Sequence, residues 1–418
     1  MTNKDFLIWL FLNLFYFSFL IKNTISTPLS LILKGNVKTE NNNSYEKVVK
    51  RDILLDQWAP WNVSEIQYFV ESPVSKENVK KAIEHIENNT CIKFKEMNND
   101  FNDKQGIIFK KGDVCSSNVG LINQTKSQPI TLAKYCYEKV ELILHEIGHA
   151  LGLIHEQSRS DRDNYITIDY DNVEDKEKYN FQKINFSSYR NYSTQYDSIA
   201  LMHYKPTDFS KNTKKPVITS KLHNAYQKNM GFSTKMTFNE IKQLNLCHCN
   251  KCNWVNNDGK KKKKNNAAKC VNSGYPDYND CKKCICPTGY TGTLCREIEK
   301  SDKGCPVTKY KVQSNVKNLV MMDKKTCYIF LQASKGKKIK LEIISYTLTF
   351  KTVCKEENSN QIKYFKDKGN TGLLLCGIHH YIEITSQSNS VLIVYRGQTN
   401  RDALGVGFIE TDEDKETK

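Results

Sequence analysis

The sequence predicts a multidomain chain: an α+β domain, then a small disulfide-rich module, then a β-sandwich. Three observations carry this reading. Strand-like and helix-like apolar patterns mix between Trp58 and Leu246, as an α+β domain requires. Cysteines crowd into the short, Gly/Pro-punctuated stretch Cys252 to Cys295, which has too little apolar residue to pack and must be stapled. From Cys305 onward short strand-like runs recur without helical periodicity, the pattern of a sandwich. At 418 residues the chain also exceeds what one ordinary core organises.

Taken in order, the N-terminus has targeting character. Lys4 and Asp5 precede an apolar run from Phe6 to Ile21 that breaks at Lys22-Asn23. The run falls short of the ~20 residues that span a bilayer, so residues 1–26 read as a signal peptide rather than an anchor. No later stretch is apolar enough to span, so the mature form is expected to have no transmembrane anchor. Residues 27–51 are polar and Asn/Lys-rich, a pro-segment or linker. They end in the dibasic pair Lys50-Arg51, where cleavage would leave Asp52 as the new N-terminus.

Within the first globular part, Ile66–Val70 reads as a strand. Ser75 is a fitting N-cap for a helix with Val79, Ile83 and Ile86 on one face. Cys91–Phe94 and Gly106–Phe109 read as strands, and Glu138–Leu151 as a helix. Near the C-terminus, Leu341–Ser345, Tyr381–Thr385 and Val391–Tyr395 supply the strands of the sandwich, and the charged tail frays.

Fifteen cysteines place the chain in an oxidising, extracellular compartment. Six Asn-x-Ser/Thr sequons (Asn42, Asn62, Asn88, Asn123, Asn185 and Asn191) fit a secreted glycoprotein. The net charge of +16 reads as Lys/Asn-rich composition in preference to an acidic partner. With no nucleic-acid-binding module in an exported chain, nucleic acid is excluded as a partner.

The chemistry lies in His145-Glu146-Ile-Gly-His149-Ala-Leu-Gly152-Leu-Ile-His155-Glu156. His145 and His149 stand four apart, on one face of a helix. Gly152 can take the positive φ that ends the helix, and the turn brings His155 to the same point. Three neutral imidazoles with a position left open describe a catalytic zinc site, one ion per subunit. Glu146, between the first two ligands, is placed as general base. One histidine alone would mean little; the whole string is specific.

The segment His145 to Asp163, HEIGHALGLIHEQSRSDRD, resembles the astacin family of metzincin peptidases, nematode type. The resemblance implies a metzincin-type α+β catalytic domain over residues 52–249 and zinc metalloendopeptidase activity. It implies that Glu156 forms a buried ion pair with the amine of the mature N-terminus, here Asp52. Tyr196 to Tyr204 is similar to the family's Met-turn, which puts Met202 beneath the zinc. Tyr204 then matches the switchable fifth ligand, whose phenol stabilises the oxyanion. Leu153 replaces a usual Phe and Ala200 a usual Ser; neither touches a ligand. Leu33-Lys-Gly35-Asn36 stands where the family's pro-segment carries an aspartate, and a neutral amide caps zinc less tightly.

The resemblance extends to the cysteines. It pairs Cys115 with Cys136, and Cys91 with Cys247 or Cys249. Cys252, Cys270, Cys281, Cys284, Cys286 and Cys295 resemble an EGF-like module (250–296), carried by Cys284-Ile-Cys286-Pro-Thr-Gly-Tyr-Thr-Gly. The run Lys260 to Lys264 inside it reads as a solvated insertion rather than a matrix-binding patch. Cys305/Cys327 and Cys354/Cys376 resemble the paired cysteines of a CUB domain (305–411), followed by the tail 412–418. One of Cys247, Cys249 and Cys252 is left over. No acidic cluster supports calcium.

The expected function is therefore a secreted zymogen of a zinc endopeptidase, activated by cleavage after Arg51. Its substrates would be extracellular proteins or peptides, with matrix or cuticle collagens favoured by family analogy alone. The competing class is a secreted binding protein in which the C-terminal modules act and the peptidase is vestigial; a third is a membrane-tethered peptidase that retains Phe6 to Ile21.

Overall fold

The computed structural model describes residues 61–184, 189–256, 259–262, 265–347 and 353–412. The signal, pro-segment and Asp52 readings, and the tail after Asp412, lie outside these residues. Among the described residues no helix is long and apolar enough to cross a membrane.

The first unit is built on a five-stranded sheet of order β2-β1-β3-β5-β4. Its strands are β1 (Ile66–Val70), β2 (Phe94–Glu96), β3 (Gly106–Lys111), β4 (Ser116–Ser117) and β5 (Ser127–Leu132). All neighbours pair in parallel except β4, which runs antiparallel on the β5 edge. Helix α1 (Lys76–Asn89) buries Val79, Ala82, Ile83 and Ile86, and its cap Ser75 accepts from the Asn78 N–H. That is the expected amphipathic stripe with an expected cap.

One local expectation needs correction. Cys91–Phe94 is not a strand; pairing begins at Phe94, because Cys91 is drawn to Cys249 by a disulfide. The helix expected over Glu138–Leu151 forms as α3 (Val140–Ala150), and a short helix α2 (Lys134–Tyr137) precedes it. Lys139 is extended at φ −128°, ψ 118°, and the Cys115–Cys136 bridge holds α2 against the loop leading to β4. No Gly or Pro announces that break. Strand β5 went unread because Pro129 sits inside it, and proline demotes a strand pattern.

The lower part of the unit contains β6 (Ile166–Ile168) paired with β7 (Ile218–Ser220), then α4 (Ala225–Asn229) and α5 (Phe238–His248). The small module follows, with two-stranded ladders β8 (Tyr275–Pro276) with β9 (Cys284–Ile285), and β10 (Tyr290–Thr291) with β11 (Glu297–Ile298). Its bridges are Cys252–Cys281, Cys270–Cys284 and Cys286–Cys295. Trp254, Val255 and Tyr275 join the core of the first unit, whereas Tyr290 and Cys295 pack on Leu392 and Val394 of the sandwich. The module is thus wedged between its neighbours.

The sandwich pairs a sheet of order β12-β14-β19-β16-β17 with one of order β13-β20-β15-β18. The strands are β12 (Lys309–Lys311), β13 (Lys317–Met322), β14 (Thr326–Gln332), β15 (Lys337–Tyr346), β16 (Asn360–Lys363), β17 (Leu373–Leu375), β18 (Ile378–Thr385), β19 (Ser390–Arg396) and β20 (Ala403–Asp412). Alternation does the packing: Cys327, Ile329 and Leu331 of β14 face Leu341 and Ile343 of β15 and Val406 and Phe408 of β20 in one core. In β19 every residue from Val391 to Tyr395 is buried, because the small module covers its outer face. Cys305–Cys327 and Cys354–Cys376 close this unit.

Candidate metal centre

Helix α3 carries His145 and His149 on one face, and both are buried. The helix stops at Leu151, and Gly152 takes φ +104°, a backbone state that a β-carbon would strain. The chain then doubles back so that His155 Nε2 lies 3.2 Å from His145 Nε2 and 3.1 Å from His149 Nε2. Two nitrogens each ~2.05 Å from a tetrahedral zinc stand about 3.3 Å apart, so the donor set has the spacing of one ion. Among the described residues this is the one cluster of His, Cys, Asp or Glu with metal-binding geometry.

The outer nitrogens set the tautomers. His145 Nδ1 faces Leu201 O at 3.0 Å and His149 Nδ1 faces Leu153 O at 2.8 Å. A carbonyl can only accept, so Nδ1 carries the proton and Nε2 keeps its lone pair for a cation. Burial pushes the His145 imidazole down to about 4 and that of His149 to about 3; it drives His155 well below its ordinary value too. The three rings are therefore neutral ligands at physiological pH.

Two more polar atoms complete the pocket. Glu146 Oε2 and Tyr204 Oη are buried with no hydrogen-bond partner. Such orphans are costly in a finished core, and both sit on residues beside the histidines. The Tyr204 ring lies 4.4 Å from the His155 ring, with Phe181 and Phe209 packed on its other sides. Burial raises the Glu146 carboxyl well above the usual carboxylate range and the Tyr204 phenol well above its own.

The floor is the turn that carries Met202. A Cβ added at Gly148 would lie 2.9 Å from Met202 Sδ and from Met236 Cε, so the missing side chain lets both methionines close against α3. Glu156 N–H donates to Met202 O at 2.9 Å, joining the segment after His155 to that turn. Glu156 Oε1 accepts from Asp197 N at 2.8 Å and meets Arg159 Nη1 at 3.3 Å. Burial holds this carboxyl up at about 8 against the pull of Arg159. Its expected partner, Asp52, lies outside the described residues. Leu153 and Ala200 are buried packing residues, but contrary to the sequence expectation Leu153 does touch a ligand, because its backbone carbonyl accepts from His149 Nδ1 at 2.8 Å.

Glu240 was missed. It is buried on α5, and its carboxylate accepts from Met202 N at 2.8 Å, Leu201 N at 3.2 Å and Thr237 N at 2.7 Å. The signal was present in the sequence as Thr237-Phe-Asn-Glu240, a capping box, but nothing local shows that the same carboxylate also reaches the turn below the histidines. In the small module Lys261 lies over the Trp254 ring at 5.3 Å and Lys262 bonds Asn253, so two of the lysines in that run are engaged within the module.

Fold and site together resemble those of a zinc metalloendopeptidase domain. Residues 54–249 match the family model of the astacin peptidases. Among curated relatives the chain is 29% identical over 331 residues to the zinc metalloproteinase nas-37 of Caenorhabditis elegans, covering 79% of this chain and 40% of that one. It is 28% identical over 337 residues to nas-34 of the same organism, covering 79% and 53%. The chain thus spans about half the length of these relatives or less. Among solved structures it matches high choriolytic enzyme 1, a hatching enzyme zinc-protease from Oryzias latipes, at 27% identity and a TM-score of 0.41, covering 46% of this chain and 93% of that one.

Proposed function

We propose that this protein is a secreted zinc-dependent endopeptidase of extracellular proteins, made as a zymogen and completed by cleavage after Arg51. The observation that carries it is the convergence of three neutral imidazoles, His155 Nε2 lying within 3.2 Å of the other two Nε2 atoms, beside the two unpartnered oxygens of Glu146 and Tyr204. His145, His149 and His155 hold the ion. A zinc ion bound there polarises the scissile carbonyl and acidifies water.

The side chains carry the proton traffic. Glu146 takes a proton from the attacking water and hands it to the leaving amine. Its position one residue after His145 on a rigid helix makes this geometry repeatable. Tyr204 Oη donates to the oxyanion that develops on the substrate carbonyl; an unpartnered phenol has that donor free. Met202 supports the imidazoles from below. Glu156 receives the amine of Asp52, which would supply the positive partner that its buried carboxylate needs beyond Arg159.

The supporting modules are read as an EGF-like module at 250–296 and a CUB domain at 305–411, the first on its six-cysteine pattern and the second on its two cysteine pairs and sandwich. The exposed sequon residues Asn62, Asn88 and Asn123 are compatible with glycosylation. Matrix or cuticle collagens are the substrates that family analogy favours. The test is gelatin and casein hydrolysis by protein cut after Arg51. Chelator should abolish it, and Glu146→Gln should keep zinc while losing about 100-fold or more in rate. Hydrolysis by Glu146→Gln at the wild-type rate would overturn the mechanism.

A further inference from the structure

The sandwich contacts the segment that leads into the methionine turn. Its loop Asp367–Thr371, between β16 and β17, lies against Gln195–Asp197 of the catalytic unit. Asp367 Oδ2 accepts from Gln195 N at 2.9 Å, and Asn370 Nδ2 donates to Tyr196 O at 2.7 Å. Thr371 donates twice to Asp197 Oδ2, from N at 2.9 Å and from Oγ1 at 2.8 Å. Asn370, Thr371 and Asp197 are each 2% exposed, so water cannot take over these bonds.

The contact continues toward the histidines. Asp197 N donates to Glu156 Oε1, and Glu156 N donates to Met202 O. Glu156 follows His155 directly. Thr371 is therefore three hydrogen-bonded steps from the backbone of the methionine turn. The loop itself is held from behind: Lys363 Nζ donates to Asn370 O at 2.8 Å, and Lys368 Nζ to Phe365 O at 2.6 Å and Ser390 O at 2.8 Å.

We infer that Thr371 is a positioning residue for the peptidase reaction, supplied by the C-terminal sandwich. By fixing the Asp197 carboxylate it fixes the Asp197 N–H, and through that the side chain of Glu156 and the placement of His155. This rests on the reading of His145, His149 and His155 as the metal centre. It makes the sandwich part of the catalytic apparatus rather than an appended recognition module.

The experiment uses the full processed chain and fluorescently labelled casein. Thr371→Val removes the hydroxyl bond with little change of shape, Thr371→Ser keeps it, and Gln387→Ala cuts a different contact of the same interface, Gln195 Nε2 to Gln387 Oε1 at 2.9 Å. Thr371→Val is expected to lose about tenfold in kcat with KM within twofold, and about tenfold in zinc affinity by chelator competition, the lower end for residues that orient ligands. Thr371→Ser should restore both, and Gln387→Ala should match wild type. If the valine variant does not accumulate, Thr371→Ala removes the same bond and carries the same expectations. Wild-type kcat and zinc affinity in Thr371→Val, no rescue by serine, or an equal loss in Gln387→Ala would each overturn the inference. A wild-type chain that binds no zinc would instead refute the metal-centre reading, and the inference with it.

Discussion

Glu240 accepts the backbone N–H of Met202 at 2.8 Å through Oε1, while Oε2 takes those of Leu201 and Thr237. One buried carboxylate thus caps a helix and holds the turn beneath the metal centre. An amide in its place has a single acceptor oxygen, and its NH2 would face N–H donors. Leaving one buried donor unmade costs about 1–3 kcal/mol. Glu240→Gln is therefore expected to lower the melting temperature by several degrees and to reduce kcat, both read on the processed enzyme. A variant that melts and turns over like wild type would show that the turn is held by other contacts.

Zinc should be measurable as stability. Three ligands converge only in the folded chain, so an ion that binds N and not U adds RT ln(1 + [L]/Kd), about 4 kcal/mol at a thousandfold excess over Kd. Chelator should lower the melting temperature of wild type, and zinc should restore it. His149→Ala should melt at one temperature under both conditions. A chelator-dependent shift that persists in His149→Ala would place the stabilising ion elsewhere.

Asp208 offers a pH test. Burial pushes its carboxyl up to about 6, against the pull of Lys205 and its N–H. The folded state then holds the proton more tightly than the unfolded chain. Its stabilising contribution is complete below the unfolded value of 3.8 and is lost as pH rises through about 6. Asp208→Asn keeps an oxygen for Lys205 N–H but cannot ionise. It should melt above wild type at pH 8, by the equivalent of about 1–3 kcal/mol, and lose that advantage near pH 4. An advantage independent of pH would mean that the carboxyl does not titrate in this range.

Thiol chemistry gives a count. Fifteen cysteines, less the fourteen in seven bridges, leave Cys247. Titration of the denatured, unreduced chain should find one thiol, and peptide mapping should place it at Cys247. The Cys91–Cys249 bridge spans 158 residues of sequence, so replacing both by serine should cost about 3–5 kcal/mol. Two or more thiols, or a label on Cys249, would reassign the bridge.

Much of the site was legible in the sequence because its parts are local. The spacing of His145, His149 and His155, with Gly152 between, prescribes helix, turn and return with little help from the rest of the chain. The amphipathic stripe of α1 and the cysteine spacing of the small module are equally local signals. Other features depend on residues far apart in sequence. Which of Cys247 and Cys249 meets Cys91 depends on how the end of α5 docks against the start of the sheet. Strand β5 exists because β3 and β4 pair with it despite Pro129. Glu240 and Thr371 acquire their places under the metal centre only when α5 and the sandwich pack against the Met202 turn. Hydrogen-bond donors and helix periods are written in single segments. The partners that satisfy a buried carboxylate are chosen by burial, and only the assembled core decides which groups lose their water together.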